Sequence, residues 1–507
     1  MMMNSAVRLL DRAAARWPDR CAVEDEEKSL TYREYREVSR RVGSGLLASG
    51  CHGRPVMAYL PKSVDALTVS MGTMYAGGAY VPVDVNIPLS RLERMVDSMR
   101  PGAIITDAAH EGKLKGINLQ GTVVCRYDGL EASPVDEDAV EAAVAAVVDT
   151  DPIYVMYTSG STGEPKGVTI SHRGVLDYAV WVVETFGYDE NTVMANQSAL
   201  HFDNATFDIF GSLQCGGKLL LVPEALMMFP AKLPKYLAEK AVTSIFWVPT
   251  VMIAVANSGA LEGAELPALK TVAFAGEVMP NTQLNVWRRC LPGRTYANLY
   301  GPTEITDICC YYIVDRPFAD ADPLPIGRAR ENMRLLLLTE DGREAAVGEQ
   351  GELCVIGTGV ALGYWNAPEL TEKVFTANPL SPAYGERMYR TGDLAYRTEE
   401  GLLMLLGRRD SQIKLRGNRI ELGEIEIAAM CVEGVENACA VFDAEKQEIV
   451  LFVESKIPFV LRKFNLELKK HIPGYMLPGK LITMEALPHT PNGKIDRVTL
   501  RQSLREG

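Results

Sequence analysis

Several features are scarce in this 507-residue sequence, and each scarcity removes a class of explanation. No uninterrupted apolar run is long enough to span a bilayer, so no membrane insertion is expected. The opening residues, MMMNSAVRLLDRAAARWPDR, read as a short amphipathic helix. They lack the central apolar block and small-residue cleavage site of a secretory signal, so a cytoplasmic protein is expected. Ten cysteines are present, but no Cys-x-x-Cys pair and no Cys/His cluster has metal-ligand spacing. Reduced, mostly buried thiols are the expectation. Basic charge is outweighed, with 52 Lys and Arg against 65 Asp and Glu, a net of -13. That balance argues against a general nucleic-acid binder, which needs basic surface to displace counterions. There is no internal repeat, no low-complexity tract and no heptad pattern.

The composition, 47% hydrophobic and 23% charged, is that of a globular protein. The length exceeds one hydrophobic core, so at least two domains are expected. Short apolar runs alternate with helical patterns: RPVMAYL then SVDALTVSMGTMYAG, AYVPVD then SRLERMVDSM, then GAIITD. This rhythm implies parallel sheet and an α/β class. Near residue 408 the character changes. GRRDSQIKLRGNRIELGEIEIAAM is charged and punctuated by glycine, and the strands ACAVFDA and EIVLFVES and a basic helix near Leu461–His471 follow. The expected division is a large domain, 1–409, and a small α+β domain, 410–507.

Five segments carry chemistry. Tyr157-Thr158-Ser159-Gly160-Ser161-Thr162-Gly163-Glu164-Pro165-Lys166-Gly167 follows a buried-strand signal at Ile153–Tyr157. Glycines let backbone N–H groups approach a polyphosphate, hydroxyls donate to it, and Lys166 supplies charge. A Walker loop is excluded, because GxxxxGK[ST] occurs nowhere. A plain Ser/Gly surface loop has the same composition. Asn298-Leu299-Tyr300-Gly301-Pro302-Thr303-Glu304 combines an aromatic, a tight turn, a hydroxyl and a carboxylate suited to Mg²⁺, or is simply a turn before a helix cap. Tyr389-Arg390-Thr391-Gly392-Asp393-Leu394 places an aspartate at a turn after an apolar strand, where it could accept from ribose hydroxyls or only stabilise the turn. The segment Arg408 to Glu426, and Asn492-Gly493-Lys494-Ile495-Asp496-Arg497, complete the set.

In this order the segments resemble the adenylate-forming superfamily of acyl-CoA synthetases, luciferases and peptide-synthetase adenylation domains. The resemblance covers essentially the whole chain and includes LTYREY, MYAGGAYVPVD, HFDNATFDIF, GELCVIGTGVALGYWN and IPGYMLP. AYVPVD, FDNATFDIF and NGKIDR are similar to amino-acid adenylation domains, and the length and FAGEVMPN are similar to stand-alone ones such as D-alanine–carrier protein ligases. The resemblance implies a large domain of stacked parallel-type sheets with helices and a small barrel-like subdomain. It also implies a small, mobile C-terminal domain turning about Asp410. The implied chemistry is ATP-dependent formation of an aminoacyl-adenylate, with Mg²⁺, then transfer to the phosphopantetheine thiol of a separate carrier protein. No Ser-His-Asp arrangement is needed, because a carboxylate is already a nucleophile.

By the same resemblance Thr158, Ser159, Gly160, Ser161, Thr162, Gly163 and Lys166 hold phosphates. Asn298, Tyr300 and Gly301 bind ATP, Tyr300 by stacking on adenine, while Thr303 meets the α-phosphate and Glu304 binds the metal. Asp393 takes the ribose with Arg408 beside it. Lys494 serves adenylation, and Lys414 the transfer. Asp203 matches the partner of the substrate α-ammonium. Asn204, Phe207, Phe246, Ala273, Ala275, Leu299, Asp307 and Ile308 match pocket positions. Two phenylalanines imply a small substrate, and Asn204 and Asp307 add polarity suited to a hydroxyl or second amine. Two departures stand out: D-alanine ligases have cysteine where this chain has Ala275, and many peptide-synthetase domains have an aromatic at Leu405. The rivals are an acyl-CoA ligase using free CoA, which Asp203 opposes, and a non-catalytic scaffold, which the presence of Lys166, Glu304, Asp393 and Lys494 opposes. His201 and the Cys309–Cys310 pair are expected as pocket wall and packing.

Overall fold

The structure, a computed structural model, describes residues 3–158, 164–320, 322–408, 412–435, 437–488 and 495–506. Two large sheets dominate. In the nine-stranded sheet, six neighbouring strands run parallel: Thr295–Tyr300, Thr271–Phe274, Ser244–Trp247, Val193–Asn196, Lys218–Leu221 and Cys21–Glu24. Ser29–Thr31 closes one edge antiparallel, and Cys310–Ile313 and Arg328–Ala329 close the other. In the seven-stranded sheet Pro152–Thr158, Tyr80–Val83, Val56–Tyr59, Ala103–Thr106 and Val123–Arg126 run parallel. Lys166–Ser171 and Gly363–Tyr364 extend that sheet antiparallel. The central strands are buried on both faces, which is why they read in sequence as continuous apolar runs.

Local chemistry fixes the helices. Thr31 and Glu34 form a reciprocal capping box that starts helix Tyr32–Ala48, so the LTYREY segment is a helix start signal. Ser63, Asp136 and Ser171 cap Val64–Tyr75, Glu137–Ala146 and His172–Phe186 more simply, each side chain accepting one first-turn N–H. Helices Tyr32–Ala48 and Val64–Tyr75 cross closely at Gly43 and Gly72. A Cβ at Gly43 would lie 2.8 Å from Tyr75 Cβ, and one at Gly72 2.5 Å from Val42 Cγ1. Among the described residues no helix is long and apolar enough to cross a membrane. All ten cysteines are free and six of them are buried.

A third, antiparallel sheet of five strands is built on the long strand Arg387–Arg397. It pairs with Gly351–Gly357, Phe375–Ala377 and Leu403–Arg408, and Met333–Leu338 lies outermost. Asp393 sits within this long strand rather than at a turn, which corrects the sequence expectation. Gly392 at φ 74° and register shifts beside Cys354 and Ala395 mimic a turn signal while the strand continues as a bulge.

From residue 412 onward a separate core forms. The hairpin Gln412–Leu415/Asn418–Glu421 turns on Arg416 and Gly417, both with positive φ, the favoured two-residue geometry. Helix Leu422–Met430 follows, then a three-stranded sheet of Asn437–Asp443, Glu448–Glu454 and Lys480–Met484. Leu415, Ile420 and Ile425 pack on the face of this sheet that carries Ala438 and Ala440. The face carrying Cys439 and Val441 packs Leu487, Ile495 and Leu500. Asp410, the expected hinge, lies outside the described residues.

Candidate active site

The site is assembled at the carboxyl ends of parallel strands. In the nine-stranded sheet, Val193–Asn196 lies between Ser244–Trp247 and Lys218–Leu221, the point where strand order reverses. Crevices at such points are the usual ligand sites of open α/β sheets. The chain leaving Asn196 runs through His201 to Asp203 and Asn204. The chain leaving Phe274 gives Ala275 and Glu277, and the chain leaving Tyr300 gives Gly301, Thr303 and Glu304. A cavity of about 140 Å³ beside His201, lined also by Lys62, Asp84 and Glu224, lies between the ends of both large sheets.

The substrate-pocket residues form one cluster. Phe207, Phe246, Ala273, Ala275, Leu299 and Ile308 pack together with Tyr178 and Trp181. The Phe207 and Phe246 rings lie 4.6 Å apart, and Tyr178 stacks on Trp181 at 5.5 Å. Two buried carboxyls border this apolar cluster. Asp307 accepts from the Tyr178 hydroxyl at 2.6 Å, and burial, reinforced by the charge of Asp203, pushes its carboxyl up. Burial likewise raises Asp203, while the Thr303 hydroxyl and the Lys414 ammonium favour its charged form. The Asn204 Nδ2 is buried with no partner among the described residues, so it is a donor in want of an acceptor. Gly301 has no alternative: a Cβ there would lie 1.8 Å from the Asp307 carbonyl oxygen. Thr306 and Asp307 both hold positive φ, so the loop that presents Asp307 is strained and tightly determined.

Beside this pocket lies a polar centre. Glu304 is fully buried. Its Oε1 accepts from the Tyr364 hydroxyl at 2.7 Å and stands 3.7 Å from Lys166 Nζ, and its Oε2 accepts from Arg419 Nη1 at 2.7 Å. These cations hold Glu304 far below the ordinary carboxylate range despite its burial. Lys166 lies over the Tyr364 ring at 5.0 Å, and burial, with Arg419 nearby, lowers its ammonium to about 8. The Thr158 hydroxyl is buried and has no partner among the described residues. Asp393 Oδ1 accepts from Arg408 Nη1 at 3.0 Å, and its Oδ2 accepts from the Tyr300 hydroxyl. Asn298 Nδ2 donates to the Pro325 carbonyl at 2.8 Å, which ties the strand end to the loop before Gly327. Ser159, Gly160, Ser161, Thr162, Gly163 and Lys494 lie outside the described residues.

The small domain reaches into this centre through its hairpin. Lys414 is partly buried, and desolvation lowers its ammonium while Asp393 and Asp203 oppose that shift. Gly417 N donates to Glu277 Oε1 at 2.8 Å, and Ser90 Oγ donates to the Lys470 carbonyl at 2.8 Å. Arg91 and Glu424 form a buried ion pair across the same interface. Ile495 is on the opposite face of the small sheet from the hairpin residues Leu415 and Ile420.

A packed apolar cluster bordered by two carboxyls stands beside a Lys–Glu–Tyr centre at the strand ends, an arrangement of apolar wall, carboxylates and cations suited to an amine-bearing ligand and a polyphosphate. Residues 10–365 match the family described as AMP-binding enzyme. The chain belongs to that family. It is 32% identical over 508 residues to a D-alanine--D-alanyl carrier protein ligase of Bacillus cereus (strain G9842), covering 97% of this chain and 98% of that one. It is 31% identical over 504 residues to tyrocidine synthase 2 of Brevibacillus parabrevis, where 98% of this chain spans only 14% of the relative. Its fold matches the Vibrio cholerae adenylation domain AlmE in complex with glycyl-adenosine-5'-phosphate, at a TM-score of 0.84 and 24% identity over 100% of this chain and 99% of that one.

Around the site of this AMP-binding enzyme stand further residues to which the sequence reading gave no role of their own, although one of them, Tyr364, lies within GELCVIGTGVALGYWN. Tyr364 is 60 positions from Glu304 in sequence and meets it only because Gly363–Tyr364 pairs with the strand Lys166–Ser171. Arg330 is wholly buried behind the pocket. It donates to the Ile308 carbonyl at 2.8 Å and pairs with Asp177 at 2.6 Å, with Tyr178 and Trp181 stacked within 6 Å. Tyr178 and Trp181 lie three apart on one helix, a spacing that reads as ordinary core.

Proposed function

We propose that this chain activates a small amino acid with ATP as an aminoacyl-adenylate, releasing pyrophosphate, and passes the aminoacyl group to the phosphopantetheine thiol of a separate carrier protein. The observation that carries this reading is Asp203, a buried carboxyl at the rim of an apolar pocket and within electrostatic reach of Lys414 and Glu304. A buried carboxylate facing an ammonium both binds and discriminates, because an acid without the amine leaves it unpaired. The crowding of Phe207, Phe246 and Trp181 favours a small side chain, and Asp307 favours one that ends in a hydrogen-bond donor.

In the first step an oxygen of the substrate carboxylate attacks the α-phosphorus. The bond to the bridging oxygen breaks and pyrophosphate leaves. Thr158 and Lys166, with residues 159–163, hold the polyphosphate, and Asp393 with Arg408 orients the ribose. Tyr300 backs the base, and the buried Asn204 amide is free to donate to the substrate. Lys494 offsets charge as the two anions meet. In the second step the thiol sulfur bonds to the acyl carbon and AMP leaves. Lys414 and the hairpin stand at the site for that step, after a turn about Asp410 between domains 1–409 and 410–507.

Glu304 fits Mg²⁺ as a single carboxylate ligand. No group of three or more His, Cys, Asp or Glu among the described residues is placed to hold a metal, so the remaining ligands would be phosphate and water oxygens. When bound, Mg²⁺ neutralises phosphate charge. A second reading, transfer to free CoA, keeps the first step and changes only the acceptor. Mass spectrometry after incubation with ATP and a small amino acid separates the two. Aminoacylation of a phosphopantetheinylated carrier supports the proposal, and aminoacyl-CoA with an unmodified carrier overturns it.

A further inference from the structure

Arg330 is wholly buried, where an arginine is costly, between the helix His172–Phe186 and the segment leading into the strand Cys310–Ile313. Its Nη1 pairs with Asp177 at 2.6 Å and donates to the Glu331 carbonyl at 3.1 Å, and its Nε donates to the Ile308 carbonyl at 2.8 Å. Its backbone N–H donates to the Cys309 carbonyl at 3.0 Å. Asp177 also accepts from the Thr358 hydroxyl at 2.6 Å and from Asn332. Arg330 Nη2 is buried with no hydrogen-bond partner among the described residues. A buried ion pair is a weak source of stability, because apolar residues of similar volume often do as well, and an unpaired nitrogen adds to the cost. The fold alone therefore does not account for an arginine here. Its guanidinium carbon lies 5.5 Å from the Tyr178 ring centre and 5.9 Å from that of Trp181. The Tyr178 hydroxyl in turn donates to Asp307 Oδ2 at 2.6 Å. Burial and the Asp307 carboxyl push that hydroxyl well up, and the Arg330 charge pulls against them. A phenol polarised in this way by a cation at its ring is a stronger donor.

We infer that Arg330 is a positioning residue for substrate selection: seated against Tyr178 and Trp181, it fixes the Tyr178 hydroxyl on Asp307 and so presents that carboxyl to a hydrogen-bond donor on the substrate side chain. The inference rests on the reading of Asp307 as a pocket residue given above. Arg330 works on both sides of Asp307. On one side it holds, through Ile308 and Cys309, the chain that leaves the strained Thr306–Asp307 loop. On the other it holds the ring whose hydroxyl anchors the carboxyl. A carboxyl anchored through one oxygen keeps acceptor capacity on the other. A substrate side chain that ends in a hydroxyl or an ammonium satisfies it. An apolar side chain of the same size leaves a buried acceptor unpaired, which is how such a site discriminates. Loosening Arg330 lets the ring and the carboxyl shift, so discrimination between side chains falls while the binding of ATP is untouched.

The test uses the full chain in ATP–pyrophosphate exchange with two pairs of amino acids, serine against alanine and 2,3-diaminopropionate against 2-aminobutyrate, each in both enantiomers. The readout is the ratio of kcat/KM within a pair, with KM for ATP measured alongside. The wild type should favour the donor-bearing member of at least one pair. Arg330→Gln and Tyr178→Phe should each lower that ratio about tenfold with KM for ATP unchanged, and the double variant should fall no further, because the two act through one bond. Where Arg330→Gln does not fold, combining it with Asp177→Asn replaces the ion pair by a neutral amide pair, and the same loss of ratio is expected. An unchanged ratio with both members of a pair slowed equally, or losses that add in the double variant, would leave Arg330 a structural residue only and overturn the inference. A wild type that favours the apolar member of both pairs overturns the pocket reading of Asp307 beneath it. So does a ratio unmoved by Asp307→Asn, in which an amide donor replaces one carboxyl oxygen. Exchange with none of the four acids overturns both.

Discussion

Replacing Asp203 by asparagine removes one charge from the pocket and almost nothing else. The side chains are isosteric, and Asp203 is 9% exposed, so the surrounding packing is retained. Truncating one side of a buried charge pair costs about 2–4 kcal/mol, which is roughly 30- to 1000-fold in kcat/KM for the amino acid. The loss is expected in amino-acid-dependent ATP–pyrophosphate exchange. A matched acid lacking the α-amine should be used equally poorly by both proteins. Stability should not follow activity. Burial raises the folded carboxyl above its unfolded value, so its contribution is full below the unfolded pKa and is lost as pH rises through the folded one. At neutral pH asparagine is therefore expected to leave the melting temperature unchanged or higher. The wild type should also lose kcat/KM for the amino acid as pH falls and Asp203 is protonated, a limb absent from Asp203→Asn. Equal exchange kinetics for the two proteins would refute the reasoning.

Asp208 makes a purely structural prediction. It is buried, accepts from Asn196 Nδ2 at 3.1 Å, and burial pushes it up to about 7. Its contribution is lost as pH rises toward that value, so Asp208→Asn should stabilise the protein at pH 8 by roughly 1–3 kcal/mol and by little at pH 5. Denaturant melts at the two pH values check this, and equal differences at both would contradict it. Because Lys166 is lowered to about 8, kcat/KM for ATP should fall as pH rises through that value, and Lys166→Arg should move the fall out of range. Pyrophosphate exchange at varied pH decides it. Gly301→Ala places a Cβ against the Asp307 carbonyl and forces the loop to shift, for about 10- to 100-fold loss of exchange. Full activity with an unchanged melting temperature would count against the close approach.

Much of this molecule is local, and some of the local part was legible. Val56–Tyr59, Tyr80–Val83 and Ala103–Thr106 are buried on both faces, so their apolar runs announce parallel strands. The caps Thr31, Ser63 and Ser171 that start three of the helices are local too, but the sequence reading did not use them. The glycine-punctuated segment after residue 408 forms a hairpin because Arg416 and Gly417 both adopt positive φ, a turn the sequence reading did not place. Asp393 was misread because a glycine with positive φ marks a bulge as well as a turn. The site was less legible wherever it depends on pairing across the chain. Tyr364 reaches Glu304 through sheet register, Arg419 through the docking of the hairpin, and Arg330 through a buried ion pair with Asp177. Tyr364 and Arg419 lie in segments that stood out in the sequence, but their contacts with Glu304 did not, since these are set by topology rather than by adjacent residues.

The central claim, activation of a small amino acid as its adenylate, is tested most directly by ATP–pyrophosphate exchange across D- and L-isomers of small amino acids and their deaminated counterparts. The account predicts exchange with at least one small α-amino acid and none with the corresponding acid lacking the amine. Exchange supported equally by the deaminated acids, or by no amino acid at all, would contradict it.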